Sequence, residues 1–250
     1  MRERPENRVP FLSAVVPAPE GIPESERFPL SLPFVRNLQK IELHPAVTFF
    51  IGENGSGKST LLEAIAVRAG FPETGGPLSK ESFVREPDGG LHDYIRLRRS
   101  FRVPSDGFFL RAEAFFGLAI ELDEASLRDP AALDQYGCES LNERSHGEAF
   151  LQLIAHRFRW ESLFVLDEPE AALSPQRLLT LLKEIDVLVR GGCQFLVATH
   201  SPILMAYPDA WIYQLEDGDF NRIAWEDTDH VRTTKAFLSR PEAFLRHLED

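Results

Sequence analysis

Gly52-Glu53-Asn54-Gly55-Ser56-Gly57-Lys58-Ser59-Thr60 decides the fold that this sequence predicts. The stretch has the G-x-x-x-x-G-K-[ST] spacing of a phosphate-binding loop, between an apolar, β-prone run at 46–51 and a helical pattern at 61–68. Glycines let backbone N–H groups curl around phosphates, and the following helix adds its dipole. Lys58 would reach the β- and γ-phosphates of a nucleotide, and the Ser59 hydroxyl would ligate Mg²⁺. A glycine-rich turn that binds nothing is the alternative, and the complete motif argues against it.

Composition bounds the class of protein. The 250 residues are 43% hydrophobic, enough for a buried core in one large domain or two lobes. A net charge of −12 argues against nonspecific coating of nucleic acid, because such binding depends on neutralising phosphates. Cys138 and Cys193 lack the spacing of metal ligands, so we expect reduced thiols. No apolar run approaches about 18 residues and residues 1–8 lack a signal-peptide core, so we expect a cytoplasmic protein without a membrane span.

Hydrophobic periodicity predicts the elements around the loop. Residues 1–26 show no clear period, and we expect a loose N-terminal arm. Partial alternation favours an edge strand at 34–43, and alternating apolar and basic residues favour a strand at 94–102 that forms a hairpin with 108–116. A second hairpin is predicted at 211–225. Strands that alternate with helices around the loop indicate an α/β domain with a mostly parallel core sheet.

A second set of polar residues completes the predicted site. The apolar run Ser162–Leu166 ends in Asp167-Glu168, and a carboxylate at a strand end can reach Mg²⁺ while the next one activates water. A turn-capping Asp is the alternative for Asp167. His200 follows another buried strand at 194–199, where it would sense a γ-phosphate or, alternatively, bond within its own turn.

These motifs together resemble the ABC-type ATPases. The resemblance includes the loop at 52–60, a signature-like Ser145-His146-Gly147-Glu148, the Asp-Glu-Pro-Glu-Ala-Ala-Leu-Ser-Pro run at 167–175, and Ala198-Thr199-His200-Ser201-Pro202. Their order and spacing match over about residues 28–225. The chain looks like the stand-alone bacterial ATPases of the AAA group that are built like ABC and SMC heads. The implied fold is a P-loop α/β fold with a mostly parallel core sheet, an antiparallel β subdomain and a helical insert.

The resemblance also implies roles for individual residues. ATP phosphates and Mg²⁺ would be bound by Gly52, Glu53, Asn54, Gly55, Ser56, Gly57, Lys58, Ser59 and Thr60. Asp167 would join Ser59 at the metal, and Glu168 would be the general base. Lys58 and His200 would complete the catalytic set, with His200 as switch histidine. Ser145 and Gly147 would contact the γ-phosphate of a nucleotide held by a second copy, which implies a head-to-tail homodimer around two ATP molecules.

The same resemblance divides the chain. It implies an N-terminal arm at 1–27, an ABC-type ATPase domain at 28–227 with a helical signature insert at about 117–158, and a helical tail at 228–250.

Several positions depart from the family pattern. Arg144 and His146 replace Leu and Gly of the signature, for which a helix N-cap is the alternative interpretation, and Ser174 stands where many ABC proteins have Asp. No Gln is evident for the Q-loop, and Glu113 is the stand-in, with an exposed strand carboxylate as the alternative. Phe28 and Phe34 are both candidates for stacking on adenine, and the sequence does not choose between them.

Three functions are compatible with these residues. The favoured one is an ATP-driven dimer switch that acts with an unknown protein partner, in DNA repair, stress response or defence. The alternatives are the ATP-binding subunit of an ABC transporter and a non-hydrolysing module that senses ATP.

A basic strand face is also predicted. It consists of Arg96, Arg98 and Arg102, with Arg99 and Arg111 near them, and it would suit nucleic acid or a partner. A solvated strand surface is the favoured interpretation of that face.

Overall fold

The computed structural model describes residues 8–79, 88–115, 117, 120 and 146–246. Its strands are, in chain order, β1 (Leu12–Pro17), β2 (Ile41–Glu42), β3 (Val47–Gly52), β4 (Gly76–Pro77), β5 (Ile95–Arg99), β6 (Asp106–Arg111), β7 (Ser162–Asp167), β8 (Gln194–Ala198), β9 (Trp211–Glu216) and β10 (Asp219–Ile223). Its α-helices are α1 (Pro33–Arg36), α2 (Lys58–Ala69), α3 (His146–Arg157), α4 (Pro175–Arg190), α5 (Pro202–Met205), α6 (Asp229–Ser239) and α7 (Pro241–Leu245). Most of the sequence-predicted helical insert, together with Cys138, lies outside the described residues.

A seven-stranded sheet carries the candidate site. Its strand order is β10-β9-β3-β8-β7-β6-β4, in which β9, β3, β8, β7 and β6 pair in parallel and the two edge strands are antiparallel. The carboxyl ends of β3, β7 and β8 therefore meet at one edge of the sheet, where ligands bind in open α/β folds. The mostly parallel α/β fold predicted from the sequence is confirmed.

Both faces of the interior strand β3 are covered. All six of its residues are buried, and successive side chains enter different cores. Phe49 and Ile51 pack with apolar residues of α3 and α4, whereas Phe50 packs with α2 and β1. The continuous apolar run Val47–Ile51 thus fits a strand buried on both sides.

The N-terminal region contributes a strand where a loose arm was expected. β1 is the central strand of a three-stranded antiparallel sheet with the order β2-β1-β5. The Gln194 side chain accepts hydrogen bonds from the N–H groups of Phe11 and Leu12 at 3.0 and 2.9 Å, and it donates to Leu12 O at 2.8 Å. The expectation was wrong for residues 12–17 because Leu12, Ala14 and Val15 are buried, and Leu12 and Val15 belong to the core that also contains the apolar side chains of α2.

Two strand predictions also need correction. The stretch 34–43 contains helix α1 and the two-residue strand β2 in place of one edge strand. β5 and β6 do not form a hairpin, since β5 pairs with β1 and β6 pairs in parallel with β7. Gly107 allows that second pairing, because a Cβ at this position would lie 2.5 Å from Leu163 O.

The predicted second hairpin and helical tail agree with the structure. β9 and β10 form the expected hairpin, and Asp217 and Gly218 both adopt the positive φ angles that a tight two-residue turn requires. The tail is helical in α6 and α7. Cys193 is buried as a free thiol. None of the helices in the described part of the chain has the length and apolar character needed to cross a membrane.

Candidate active site

The loop between β3 and α2 depends on two glycines at its ends. Gly52 has φ 146°, and a Cβ there would lie 2.6 Å from Leu215 O of the neighbouring strand. Gly57 has φ 106° and caps α2, and a Cβ there would overlap the ring of Phe34. The structure thus explains both residues through the close approach of β9 and α1 to the loop.

Lys58 lies at the first position of α2, buried beneath the loop. Its Nζ donates to Gly52 O at 2.9 Å and to Glu53 O at 2.8 Å. Burial lowers the pKa of the amine, while the nearby Glu168 and Asp167 carboxylates oppose the shift. A phosphate group bound in the loop would give this ammonium an anionic partner.

Ser59 and Asp167 join the loop to the end of β7. The Ser59 hydroxyl donates to Asp167 Oδ1 at 2.9 Å. Burial raises the pKa of Asp167 to about 6, although the Ser59 hydrogen bond and the positive charge of Arg111 act in the opposite direction. A hydroxyl and a carboxylate this close form an all-oxygen donor pair of the kind that Mg²⁺ prefers, so these residues fit the metal that the sequence predicts.

Glu168 sits at a strained turn directly after β7. Its backbone has φ 50° and ψ 50°, which is uncommon for a non-glycine residue, and its N–H donates to Ala198 O at 2.9 Å. The carboxylate is partly exposed, and Oε1 lies 3.4 Å from His200 Nε2. The strained turn and the β8 contact place this carboxylate at the edge of the sheet, beside Ser59 and Asp167, the candidate metal-binding pair.

His200 is held in place from its backbone and from its ring. Its backbone N–H donates to Glu170 Oε1, which also accepts from the Thr199 hydroxyl at 2.8 Å. Its Nδ1 is 3.0 Å from Nε2 of His230. Burial raises the pKa of Glu170 despite these hydrogen bonds. The sequence singled out neither Glu170 nor His230. Glu170 lies within the acidic run at 167–175, but no local sequence pattern marked His230.

Arg111 occupies a different place from the one expected. It ends β6 beside Asp167 of β7, and its guanidinium contacts Glu63 at 2.7 Å, Glu113 at 2.6 Å and Asp167 at 3.9 Å. It therefore lies at the candidate metal position and not on a basic strand face. Glu113, the stand-in for the Q-loop residue, reaches the site as the partner of Arg111. The parallel pairing of β6 with β7, which the sequence did not predict, brings them there.

An open cavity lies in front of these groups. Its volume is about 510 Å³. The polar residues that line it are Ser59, Arg111, Glu113, Asp167 and Glu168. The cavity therefore contains both members of the candidate metal pair and the carboxylate proposed as base.

The signature residues are only partly described. Ser145 lies outside the described residues. Gly147 is buried in the first turn of α3, where a Cβ would lie 2.9 Å from Ala172 O and would also clash with Arg177. Arg177 pairs with Glu148 at 3.0 Å. Close packing within the chain thus accounts for the glycine, and its expected contact with a second copy stays a prediction.

One adenine-stacking candidate is excluded. Phe34 is 1% exposed and packs edge-on against Phe220 at 5.5 Å, so its ring has no free face. Phe28 is 73% exposed.

The other arginines of the predicted basic face mostly bind the chain itself. Arg102 donates to Val9 O and Gly192 O and lies over the ring of Phe11. Arg96 donates to Asp93 O, and Arg99 donates to Arg68 O. Because backbone carbonyls occupy N–H donors of these three side chains, the face offers fewer free donors to phosphate than the sequence pattern indicated.

Two family models match segments of the chain. One, described as "AAA domain, putative AbiEii toxin, Type IV TA system", matches residues 146–206. The other, described as "AAA domain", matches residues 31–98. The first segment contains Asp167, Glu168 and His200, and the second contains the loop at 52–60. Each covers less than half of the chain.

The chain is also similar to ATP-binding proteins of known name. It is 24% identical to the nucleoside import ATP-binding protein NupA of Lactococcus lactis subsp. cremoris, over 65% of this chain and 34% of that protein. It is 27% identical to the ribose import ATP-binding protein RbsA of Corynebacterium glutamicum, over 82% of this chain and 42% of that protein. The matched region is thus less than half of either relative.

A solved structure agrees with the fold. A metal-chelate type ABC transporter in an inward-facing conformation matches 90% of this chain and 88% of the compared chain, with a TM-score of 0.50 and 17% identity. The chain accordingly has the fold of a P-loop NTPase and resembles the ABC-type ATPases.

Proposed function

We propose that this chain is an ATPase that binds ATP with Mg²⁺ at residues 52–60 and works as an ATP-driven dimer switch. The observation that supports this most directly is the 2.9 Å contact between Ser59 of the loop and Asp167 of β7, with Glu168 as the next residue. Phosphate-binding, metal-binding and base groups then share one edge of the sheet.

The chain's own residues have distinct tasks in this reaction. The loop amides and Lys58 hold the β- and γ-phosphates, and Ser59 and Asp167 hold Mg²⁺, which when bound neutralises phosphate oxygens. Glu168 orients a water molecule for in-line attack on the γ-phosphorus and takes its proton. His200 donates from its ring to a γ-phosphate oxygen. Cleavage breaks the bond between the γ-phosphorus and the bridging oxygen and leaves ADP and phosphate.

Dimerisation is the proposed means by which hydrolysis becomes a switch. Ser145 and Gly147 would contact the nucleotide of a second copy, so two chains would close around two ATP molecules and separate after phosphate release. Action on a further protein partner, in DNA repair, stress response or defence, rests on the family resemblance alone.

A second candidate function is the ATP-binding subunit of a transporter. The names of the relatives above favour it, since they describe import ATP-binding proteins. The departures at His146 and at the Q-loop position, where Glu113 stands, favour the switch instead. Co-purification with a membrane protein would support the transporter role.

A non-hydrolysing ATP sensor is the weakest of the three. It would need no general base, whereas here Glu168 stands next to Asp167 at the mouth of the cavity.

Light scattering on the Glu168→Gln variant tests the proposal. Loss of the base should trap ATP, so we expect the molar mass to double when Mg-ATP is added and to remain that of a monomer with Mg²⁺ alone. The matched control is Glu168→Gln combined with Lys58→Ala, which should stay monomeric because it binds phosphate poorly. A mass that ATP does not change in the monomeric variant, or wild-type turnover in Glu168→Gln, would contradict the proposal.

A further inference from the structure

His230 lies in the first turn of α6, with its ring beside that of His200. Nε2 of His230 is 3.0 Å from Nδ1 of His200, and the two ring centroids are 5.2 Å apart. On the other side of His200, Nε2 is 3.4 Å from Glu168 Oε1. Each ring nitrogen of His200 therefore faces one partner, a carboxylate or an imidazole.

These two neighbours determine which nitrogen carries the proton. An ionised carboxylate only accepts hydrogen bonds, so the nitrogen that faces Glu168 must be the N–H group. In a neutral imidazole the other nitrogen, Nδ1 of His200, is then an acceptor, and His230 must donate to it from Nε2. Nδ1 of His230 is then unprotonated. It is buried without a hydrogen-bond partner among the residues described. Nε2 of His200 is likewise buried without a hydrogen bond there, so its N–H group faces Glu168 as a charge contact and keeps its donor for a phosphate oxygen.

Burial favours the neutral form of both rings, which this arrangement requires. Burial is the largest cause that lowers the pKa of each imidazole. The charged groups that also act on the pair are Lys58, Glu53, Glu168 and Asp229. Lys58 lowers both pKa values further, whereas Glu168 opposes the shift at His200, and Glu53 and Asp229 oppose it at His230.

The first turn of α6 is fixed to the segment that follows His200. Thr228 caps the helix and is fully buried, and its hydroxyl accepts from Val231 N at 3.4 Å and donates to Trp225 O at 2.9 Å. The Trp225 indole donates to Pro202 O at 3.0 Å, two residues after His200. This chain of contacts sets the distance between the two imidazoles.

We propose that His230 is a positioning residue whose Nε2–H holds His200 in the tautomer that directs Nε2–H toward Glu168 and the γ-phosphate oxygen. The inference rests on the proposed ATPase function. With the other tautomer, His200 would present a lone pair to two anions and could not stabilise either. Positioning of this kind changes turnover more than nucleotide affinity, because the loop at 52–60 supplies most phosphate contacts.

The tautomer can be measured without any ATPase activity. Long-range ¹H–¹⁵N spectra of the histidine rings distinguish Nε2–H from Nδ1–H, and a His200→Ala variant assigns the His200 signals. In the wild-type chain we expect the Nε2–H tautomer of His200. The His230→Gln variant should keep that tautomer, because the Gln amide can donate in the same place. The His230→Leu variant should show a mixture of the two tautomers. Nδ1–H at His200 in the wild type would overturn the inference even if a variant failed to fold.

Kinetics then test whether the contact matters for turnover. We expect His230→Leu to lower kcat about 10- to 100-fold with little change in KM for ATP, and His230→Gln to restore most of it. In a His200→Ala background the His230→Leu change should have no further effect. The matched control, Arg232→Ala, alters an exposed residue of the same turn and should leave kcat unchanged.

The outcomes separate this inference from the proposed function. If the wild type hydrolyses ATP and His230→Leu changes neither tautomer nor kcat, the inference is wrong and the ATPase stands. Equal losses from His230→Leu with and without His200 would also overturn it, since the effect would then be structural. If the tautomer shifts as expected in a chain that never hydrolyses ATP, the contact is upheld and the ATPase assignment is wrong.

Discussion

Several residues at the candidate site are ionisable groups that are buried, and burial disfavours their charged forms. Asp167 and Glu170 have raised pKa values and Lys58 has a lowered one, with burial as the first cause in each case. Such groups destabilise a fold unless they are paired. Their presence at one sheet edge fits a site that is shaped for ligands that supply the missing charges.

Replacing Asp167 with Asn should stabilise the ligand-free chain while abolishing Mg²⁺-dependent turnover. The pKa of Asp167 is raised from 3.8 to about 6, so the folded state binds this proton more tightly than the unfolded state does. The stability that the proton contributes is complete below pH about 4 and is lost as pH rises through about 6. Above that pH the ionised carboxylate costs about 1–3 kcal/mol, which Asn avoids.

Urea unfolding at pH 5, 6, 7 and 8 measures this effect. The gain in the free energy of unfolding should grow from pH 5 to pH 7 and then level off. Ser59→Ala is a useful companion, because it removes the hydrogen bond to Asp167 without removing the carboxylate. If the gain in the free energy of unfolding were the same at every pH, or if the variant were less stable at pH 8, burial would not destabilise the ionised carboxylate.

At the scale of elements, the phosphate-binding loop is shaped by two neighbours that are distant in sequence. β9 approaches Gly52, and Phe34 of α1 lies against Gly57. Phe34 in turn packs against Phe220 of β10. The hairpin at the sheet edge and the short helix before the loop thus act as one support for it.

Gly57→Ala should therefore destabilise the ligand-free chain more than Gly55→Ala. Both residues have positive φ, so both variants incur backbone strain, but only the Cβ at 57 would overlap the Phe34 ring, whereas none meets an atom within 4 Å at 55. We expect a difference of about 1–3 kcal/mol in the free energy of unfolding, measured with denaturant. Equal losses for the two variants would mean that Phe34 moves aside without cost.

The elements also show what sequence could and could not predict. The loop, β7 with Asp167 and Glu168, and the β9–β10 hairpin were predicted because each is marked by residues adjacent in sequence. The pairing of β6 with β7, which brings Arg111 to Asp167, and the contact of His230 with His200 were not. Those contacts join segments that are distant in sequence. Local periodicity predicts single strands and helices but not which of them pair with each other.

At the scale of the whole molecule, the prediction of a loose N-terminal arm failed for a similar reason. Pro and Glu in the first 26 residues suggested an arm without structure, yet the short apolar segment β1 is central in the second sheet. Six residues are too few for a reliable pattern, and the strand exists because β2 and β5 pair on its two sides.

ATP turnover per chain should rise with protein concentration if two copies form each complete site. We expect the rate per chain to increase in proportion to concentration when monomers dominate and to reach a plateau once dimers form. Initial rates over a 100-fold dilution series, compared with molar mass at each concentration, measure this. Constant turnover per monomer would indicate that one chain carries a complete site.

Gln194 has a consequence for how the chain unfolds. Its one carboxamide binds Phe11, Leu12 and the carbonyl of His44, so the first strand is attached to the start of β8 at the centre of the large sheet. Amide hydrogens of Phe11 and Leu12 should then exchange with deuterium oxide about as slowly as those of β8 itself. Residues so near the start of the chain would report global opening, and not the fraying by which chain ends ordinarily exchange.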